Sequence, residues 1–181
     1  LSQVVDWGNG HGAIGAAPMY TRRFEWLGTT EEKVADYAEL MRKAYGPDKA
    51  QQILVDGPPH AVIFPNLFLG EMNIVIFQPT ATGECVQWHT PLLLEGVPDK
   101  FNERIIRQSE GALGPSAFLL ADDQVISERQ QMALQGHAGW MDLSRGLNRE
   151  VEKDGVITSH ISDETTNRGF WQHYLKVMEA A

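Results

Sequence analysis

The sequence predicts one α+β domain, in which an antiparallel sheet carries its helices on one side. Two strand-like segments, residues 72–79 and 84–94, flank a short turn at 80–83, which is typical of an antiparallel hairpin. Residues 98–111 and the segment after Asp163 repeat apolar side chains at helical spacing. A length of 181 residues fits a single domain with a substantial core.

The N-terminal third is expected to contain strands at 2–7 and 20–26, a helix from the capping box of Thr29 and Glu32 to Gly46, and a short helix at 47–54. The glycine-rich segment 8–15 lies between the two strands. It lacks the Lys-Ser/Thr pair of a phosphate-binding loop. We therefore interpret it as a turn or a close backbone approach.

The remaining elements follow from the same patterns. Residues 60–69 are almost entirely apolar and predict one strand, bulged or kinked at Pro65 because proline cannot donate to a ladder. Residues 140–151 predict a loop, and 156–160 a short strand behind a turn. Ser162 or Asp163 is expected to cap the last helix.

Composition excludes several classes of protein. The net charge is −9, and no basic cluster is visible along the chain, which argues against nucleic-acid binding. The one cysteine, Cys85, excludes an internal disulfide and fits a reducing cytoplasm. No apolar run approaches the roughly 20 residues that span a bilayer, and we expect no signal peptide. Because the chain begins at Leu1, we expect it to be part of a longer protein.

An adjacent pair of carboxylates, Asp122 and Asp123, lies in the segment 111–136, which otherwise predicts a helix that starts near Pro115 and stops at Gly136. Its apolar residues recur at helical spacing: Phe118, Leu119, Val125, Ile126 and Met132. At least one carboxylate should lie beside this apolar face, where it needs a partner or a metal. Periodicity slightly favours Asp122 but does not decide between the two.

The segment GALGPSAFLLADDQ resembles the iron-ligand helix of the alpha (large) subunit of Rieske non-haem iron aromatic-ring-hydroxylating oxygenases. Three further segments are similar in the same order: AVIFPN, VQWHTPLLLEGVPDKFNER and SDETTNRGFWQHY. Together they cover residues 60–175. The resemblance implies a helix-grip (START-like) catalytic domain, in which a curved antiparallel sheet and a long C-terminal helix enclose a cavity.

The resemblance implies roles for individual residues. Asp123 would be the carboxylate of a two-histidine, one-carboxylate Fe(II) site, which leaves coordination positions open for dioxygen. Asp122 would be its neighbour beside the ligand. The substrate-binding residues would be His60, Leu113, Leu119 and, less clearly, Phe118. Alternatives stay open: His60 could be bonded to backbone near a loop, and Leu113 and Leu119 could be ordinary core.

The histidine pair of such a site is missing here. The six histidines are scattered, with no two at ligand spacing on a helix. In the family the pair and the Rieske domain precede the segment that corresponds to residue 1. We therefore expect residues 1–181 to be the C-terminal part of the catalytic domain, without bound iron or turnover by itself, and we assign no catalytic residue within it.

The complete enzyme implied by the resemblance inserts dioxygen into an aromatic substrate, typically as a cis-dihydroxylation. Electrons would pass from NAD(P)H through a reductase and ferredoxin to a 2Fe-2S cluster and then to mononuclear Fe(II). The assembly would be a cytoplasmic homotrimer, with or without beta subunits. The alternative is a stand-alone helix-grip protein that binds an apolar ligand without metal.

Three other residues are predicted to have no chemistry. His89 and Cys85 are interpreted as structural, Cys85 because free cysteines are usually buried and inert. Arg168 is interpreted as a surface or interface charge, next to a glycine that lets the last helix approach the sheet.

Overall fold

A computed structural model describes residues 3–15, 20–70, 72–117, 119–136 and 139–180. Its α-helices are α1 (Ala35–Tyr45), α2 (Pro47–Asp56), α3 (Asp99–Leu113), α4 (Leu120–Leu134) and α5 (Thr165–Glu179). Its strands are β1 (Gln3–Gly8), β2 (His11–Gly15), β3 (His60–Ile63), β4 (Leu67–Gly70), β5 (Asn73–Ala81), β6 (Glu84–Pro91), β7 (Val151–Lys153) and β8 (Val156–His160). Short 3₁₀ helices cover Glu25–Leu27, Glu31–Val34 and Leu147–Arg149.

The strands form one open sheet in the order β6-β5-β4-β3-β2-β1-β8-β7, and every neighbouring pair is antiparallel. Sequential strands are neighbours along most of the sheet, and β8 joins β1 after the long helical segment. The predicted α+β class is therefore confirmed.

The helices α3 and α5 share one face of the sheet. Asp6, Gly12, Val62, Phe68 and Val75 lie opposite one another across five strands and so point to that face. A Cβ added at Gly12 would lie 3.0 Å from the Thr166 methyl carbon of α5, so the glycine lets the helix approach closely. The predicted close backbone approach thus occurs, although His11–Gly15 is a strand and not only a turn.

A hydrophobic core lies among α1, α2, α3 and the first two 3₁₀ helices. Phe24, Leu27, Phe101 and Ile105 are fully or almost fully buried in it, and the rings of Tyr37 and Phe101 stack with centroids 3.8 Å apart. Aromatic pairs of this kind contribute about 0.5–1.5 kcal/mol beyond their burial. The side of α3 that carries Phe101 and Ile105 is buried in this core.

Two strand predictions differ from the structure. Residues 20–26 are turns that lead into the 3₁₀ helix Glu25–Leu27, because Phe24 adopts a left-handed backbone with φ of 62° and packs inward. Residues 60–69 form a tight hairpin of β3 and β4, not one bulged strand. The turn contains a cis Phe64–Pro65 peptide bond. The apolar composition correctly predicts strand structure here, but it does not predict the chain reversal at Pro65.

Neither predicted helix cap forms. The N-cap residue of the first helical segment is Thr30 and not Thr29, and that of α5 is Glu164 and not Ser162 or Asp163. Neither makes a side-chain capping hydrogen bond. Asp163 instead accepts hydrogen bonds from the Ser159 hydroxyl and the His160 N–H, and it pairs with Arg149. Its side chain is fully shielded from solvent. The Ser159 hydrogen bond, together with Arg149, lowers the pKa of Asp163 below its usual value.

Arg168 was predicted to be a surface or interface charge. In the structure it is an internal charge. Its side chain is largely buried on α5 and pairs with Glu150. It also donates to the backbone carbonyls of Leu143 and Arg145, the latter at 3.0 Å. It therefore ties the loop before β7 to the last helix, which a planar guanidinium with five donors does well.

The lowered pKa of Asp163 predicts an acid-dependent loss of stability. The ionised carboxylate stabilises the fold above its unfolded pKa of about 3.9, and this contribution is lost as pH falls through the lower folded pKa. We expect Asp163→Asn to be less stable than the parent at pH 7, and the gap to narrow below about pH 4. Urea unfolding across this pH range measures the free energies of unfolding of both proteins. A difference between them that does not change with pH would contradict the lowered pKa of Asp163.

Among the described residues, no helix has both the length and the apolar character needed to cross a membrane.

Candidate functional site

A small cavity of about 230 Å³ lies between α5 and the β2–β3–β4 part of the sheet. Its walls are mainly apolar, and its polar groups are few. The lining residues are Gly10, Gly12, Ala13, Ile14, His60, Val62, Phe68, Thr166, Asn167 and Phe170. An apolar cavity with a few converging polar groups is the usual form of a small-molecule site.

The sheet register brings the key side chains of this cavity together. His60 lies opposite Ile14 on β2, and Val62 lies opposite Phe68 on β4, so all four point to the face that α5 covers. The rings of His60 and Phe68 have centroids 6.2 Å apart. Phe170 closes the cavity from α5 and packs edge-on against Phe64, with centroids 5.5 Å apart. The result is a cavity with aromatic walls and one imidazole, which we call the His60 cavity.

His60 is half-buried at the start of β3, and no hydrogen bond joins its ring to another residue of the described segments. A neutral imidazole has one donor and one acceptor nitrogen. The His60 ring can therefore hydrogen-bond a polar group of a ligand without giving up a protein partner. Its role in substrate binding stays a prediction.

Helix α4 exposes both Asp122 and Asp123 to solvent. Their side chains have no hydrogen bond or ion pair within the described part of the chain; only the Asp123 carbonyl accepts, from Ser127 Oγ at 2.8 Å. The expectation that a carboxylate lies against a buried apolar face is wrong, because Val125, Ile126 and Met132 are themselves exposed, Met132 by 71%.

The reason lies in how α4 faces the sheet. A cavity of about 790 Å³ separates α4 from the tip of the β5–β6 hairpin. The α4 side chains that line it are polar and spaced at one helical face: Gln124, Ser127, Glu128 and Gln131. Helix α4 therefore turns these polar side chains toward the hairpin, whereas Val125, Ile126 and Met132 are exposed. Polar and apolar residues are mixed around α4, so periodicity could not identify a buried face.

The predicted substrate residues that the structure describes lie on different elements. Leu113 is partly buried at the end of α3, and Leu119 is exposed just before α4. Phe118 lies outside the described residues. The walls of the His60 cavity include neither leucine. Pocket-wall roles for Leu113, Leu119 and Phe118 stay predictions.

Sequence reasoning did not assign Val62, Thr166, Asn167 or Phe170 to a site. Strand alternation in the sequence also does not fix which face Phe68 occupies. The signal that could have placed it is the hairpin turn at Pro65, which sets the register that pairs Phe68 with Val62.

His89 and Cys85 occupy the same outer hairpin. His89 Nδ1 is buried with no hydrogen-bond partner among the described residues, and burial lowers the pKa of the ring. Its Nε2 lies 3.2 Å from Gln87 Oε1. Cys85 is exposed and lines the cavity under α4, so the expectation that it is buried is wrong.

The described residues do not fit an iron site by themselves. No group of three or more His, Cys, Asp or Glu side chains is placed to hold a metal in the segments that the structure describes. Asp123 supplies one free carboxylate, whereas a facial triad needs two nitrogen ligands as well. Its assignment as an iron ligand stays a prediction about a larger assembly.

We therefore expect the 181-residue chain to retain far less than one iron per molecule after incubation with Fe(II) and anaerobic dialysis. A single exposed carboxylate competes poorly with water for a divalent cation. Elemental analysis of the dialysed protein, with Asp123→Asn as the comparison, measures this. Retention of about one iron by the parent and its loss in the variant would show a metal site that the described residues do not reveal.

Comparisons with known proteins give the fold and little else. No protein-family model matches the sequence, and no curated protein matches it. Among solved structures, naphthalene 1,2-dioxygenase from Rhodococcus sp. bound to indole superposes with a TM-score of 0.72 at 17% identity over 98% of this chain. A naphthalene 1,2-dioxygenase variant bound to phenanthrene superposes with a TM-score of 0.69 at 16% identity over 96%. The chain spans 44% and 41% of their lengths.

Proposed function

We propose that this chain is the C-terminal part of the catalytic domain of a Rieske-type non-haem iron oxygenase that inserts dioxygen into an aromatic ring, typically as a cis-dihydroxylation. The observation that carries the proposal is the shared fold, over almost the entire chain, with two structures of an aromatic dioxygenase. The ordered resemblance of four sequence segments to the alpha subunit of such enzymes supports it independently.

The His60 cavity is the proposed site for part of the aromatic substrate. Phe68 and Phe170 offer ring faces and edges, and Ile14 and Val62 complete an apolar wall. Burying an aromatic hydrocarbon here is favoured by about 25 cal/mol for each Å² of apolar surface removed from water. The imidazole of His60 and the amide of Asn167 would orient a ligand that carries a polar atom.

Asp123 is the proposed carboxylate ligand of the iron, and Asp122 its neighbour. In the complete assembly, Fe(II) would supply dioxygen activation, and two histidines from outside the described residues would complete its coordination. NAD(P)H, a reductase and a ferredoxin would deliver electrons through a 2Fe-2S cluster, and a homotrimer, with or without beta subunits, would bring the cluster near the iron. These partners are part of the proposal.

A second candidate function is a helix-grip protein that binds an apolar ligand without metal. The observation that favours it is the exposure of Asp123 together with the lack of a metal-binding cluster in the described segments. Both functions use the His60 cavity. They differ in whether Asp123 matters.

The test is ring oxygenation by the native assembly, supplied with NADH, labelled dioxygen and naphthalene and analysed for a labelled dihydrodiol. We expect Asp123→Asn to reduce product formation by at least about a hundredfold, since one of three metal ligands is lost. The matched control is Asp36→Asn, an exposed aspartate on α1. Product formation that is equal in the two variants would refute the ligand role. Naphthalene binding without any oxygenated product would favour the metal-free binder.

A further inference from the structure

Four cationic side chains converge on one cleft, away from the sheet. Lys100, Arg104 and Arg107 occur at successive turns of α3 and share one face of the helix, beside the buried Phe101. Lys33 of the 3₁₀ helix Glu31–Val34 joins them. The cleft has a volume of about 300 Å³, and Thr29, Val34 and Glu103 complete its lining.

The charge of this cleft is unusual for the chain that contains it. The chain as a whole carries 24 acidic and 15 basic residues. Yet the cleft holds four cations and one carboxylate, that of Glu103. Clustering like-charged groups is unfavourable unless counter-charges screen them. The cleft is therefore a local site of positive potential on an acidic protein.

The cations of the cleft take no part in the salt bridges of the described residues, although Lys33 interacts electrostatically with Glu32. Within the described segments, the salt bridges use six arginines, namely Arg22, Arg23, Arg42, Arg145, Arg149 and Arg168. No salt bridge there involves Lys33, Lys100, Arg104 or Arg107, although Glu103 is next to Arg104 in sequence. Their charges are therefore available to an anion from solution.

One of the four is fixed in place before any ligand arrives. Arg104 Nε donates to the Leu27 carbonyl at 2.9 Å, and its Nη2 donates to the Gly28 carbonyl. Gly28 has a left-handed backbone with φ of 59°, and a Cβ there would lie 2.6 Å from Arg104 Nη2. The loop thus leaves room for the guanidinium, and no hydrogen bond joins Arg104 Nη1 to another of the described residues. A held side chain loses little conformational freedom when it binds.

We propose that this cleft binds a small anion with at least two negative charges, of the phosphate or diphosphate class. The fixed guanidinium of Arg104 provides a directional donor, and Lys33, Lys100 and Arg107 provide mobile charges around it. A volume of about 300 Å³ accommodates a diphosphate or the phosphate group of a larger metabolite. The proposal does not depend on the oxygenase function, since the cleft and the His60 cavity share no lining residue.

The test is isothermal titration of the 181-residue chain with inorganic pyrophosphate at low and at physiological ionic strength. Inorganic phosphate and adenosine 5′-phosphate form two further arms, which distinguish a free anion from a phosphate ester. The variant is the double substitution Lys100→Gln with Arg107→Gln, both exposed side chains of α3. The matched control is Arg129→Gln with Lys153→Gln, which removes the same two charge types from exposed positions elsewhere.

We expect saturable binding of one pyrophosphate, weakened at least about tenfold by the α3 double variant and less than about twofold by the control. Binding should also weaken as salt rises, because exposed charges are screened. Equal weakening in both variants would mean that binding depends only on the net charge of the protein, and it would overturn the proposal. An absence of saturable binding by any of the three anions would also overturn it.

Discussion

Replacing Gly146 with alanine is expected to lower the free energy of unfolding by about 2–5 kcal/mol. Gly146 is buried and has a left-handed backbone with φ of 82°. Alanine pays about 1–2 kcal/mol in that conformation. Its Cβ would also fall on the carboxyl carbon and Cβ of Asp163, and overpacking of this kind adds about 1–3 kcal/mol. Asp163 cannot easily move, because Ser159, His160 and Arg149 hold it.

The matched control is Gly155→Ala in the β7–β8 turn. Gly155 has a similar φ of 79°, but a Cβ there meets no atom within 4 Å. It should therefore lose only the conformational part, about 1–2 kcal/mol. Chemical denaturation of both variants separates the two contributions. Equal losses in the two variants would mean that the contact with Asp163 does not constrain the loop before β7.

Replacing Val62 with tryptophan is expected to weaken the binding of indole or naphthalene at least about tenfold. Val62 lies on the wall of the His60 cavity, and an indole ring at this position would fill much of its volume of about 230 Å³. The fold should tolerate the change, because Val62 is 37% exposed and therefore does not belong to the fully buried core. Ligand-detected NMR or calorimetry measures the affinity.

Val151→Trp on β7 is the control for this experiment. Val151 is 62% exposed and is not part of the cavity wall. It adds the same ring to the protein surface without filling the site. Affinities that are equal in the two variants would place the aromatic ligand elsewhere. A loss confined to Val62→Trp would support the His60 cavity for both candidate functions.

Local patterns were enough for most of the elements. The hairpin of β5 and β6 and the helices α3 and α5 lie close to where periodicity and turn residues placed them. Alternation and helical spacing are properties of a few neighbouring residues, so they can be recognised in the sequence without a structure. The hairpin at Pro65 was missed because an apolar run of ten residues fits one strand as well as two.

The candidate site was only partly accessible to the same reasoning. His60 was selected from a resemblance, and the structure places it in an apolar cavity with Phe68 and Phe170. These partners come from β4 and α5, which are distant in sequence from β3. Only the strand register and the packing of α5 bring them together. The expectation that at least one of the two aspartates lies beside a buried apolar face failed for a related reason, since Val125, Ile126 and Met132 of α4 are exposed.

The sequence by itself determined the α+β class, the positions of the longest helices and the hairpin of β5 and β6, because those depend on local periodicity. The tertiary structure alone decided which helix face meets the sheet, where Asp122 and Asp123 point, and which residues surround His60. It also assembled the basic cleft, whose Lys33 is separated from Lys100 by more than sixty residues. Sequence order does not encode these distances, because they depend on how separate elements pack.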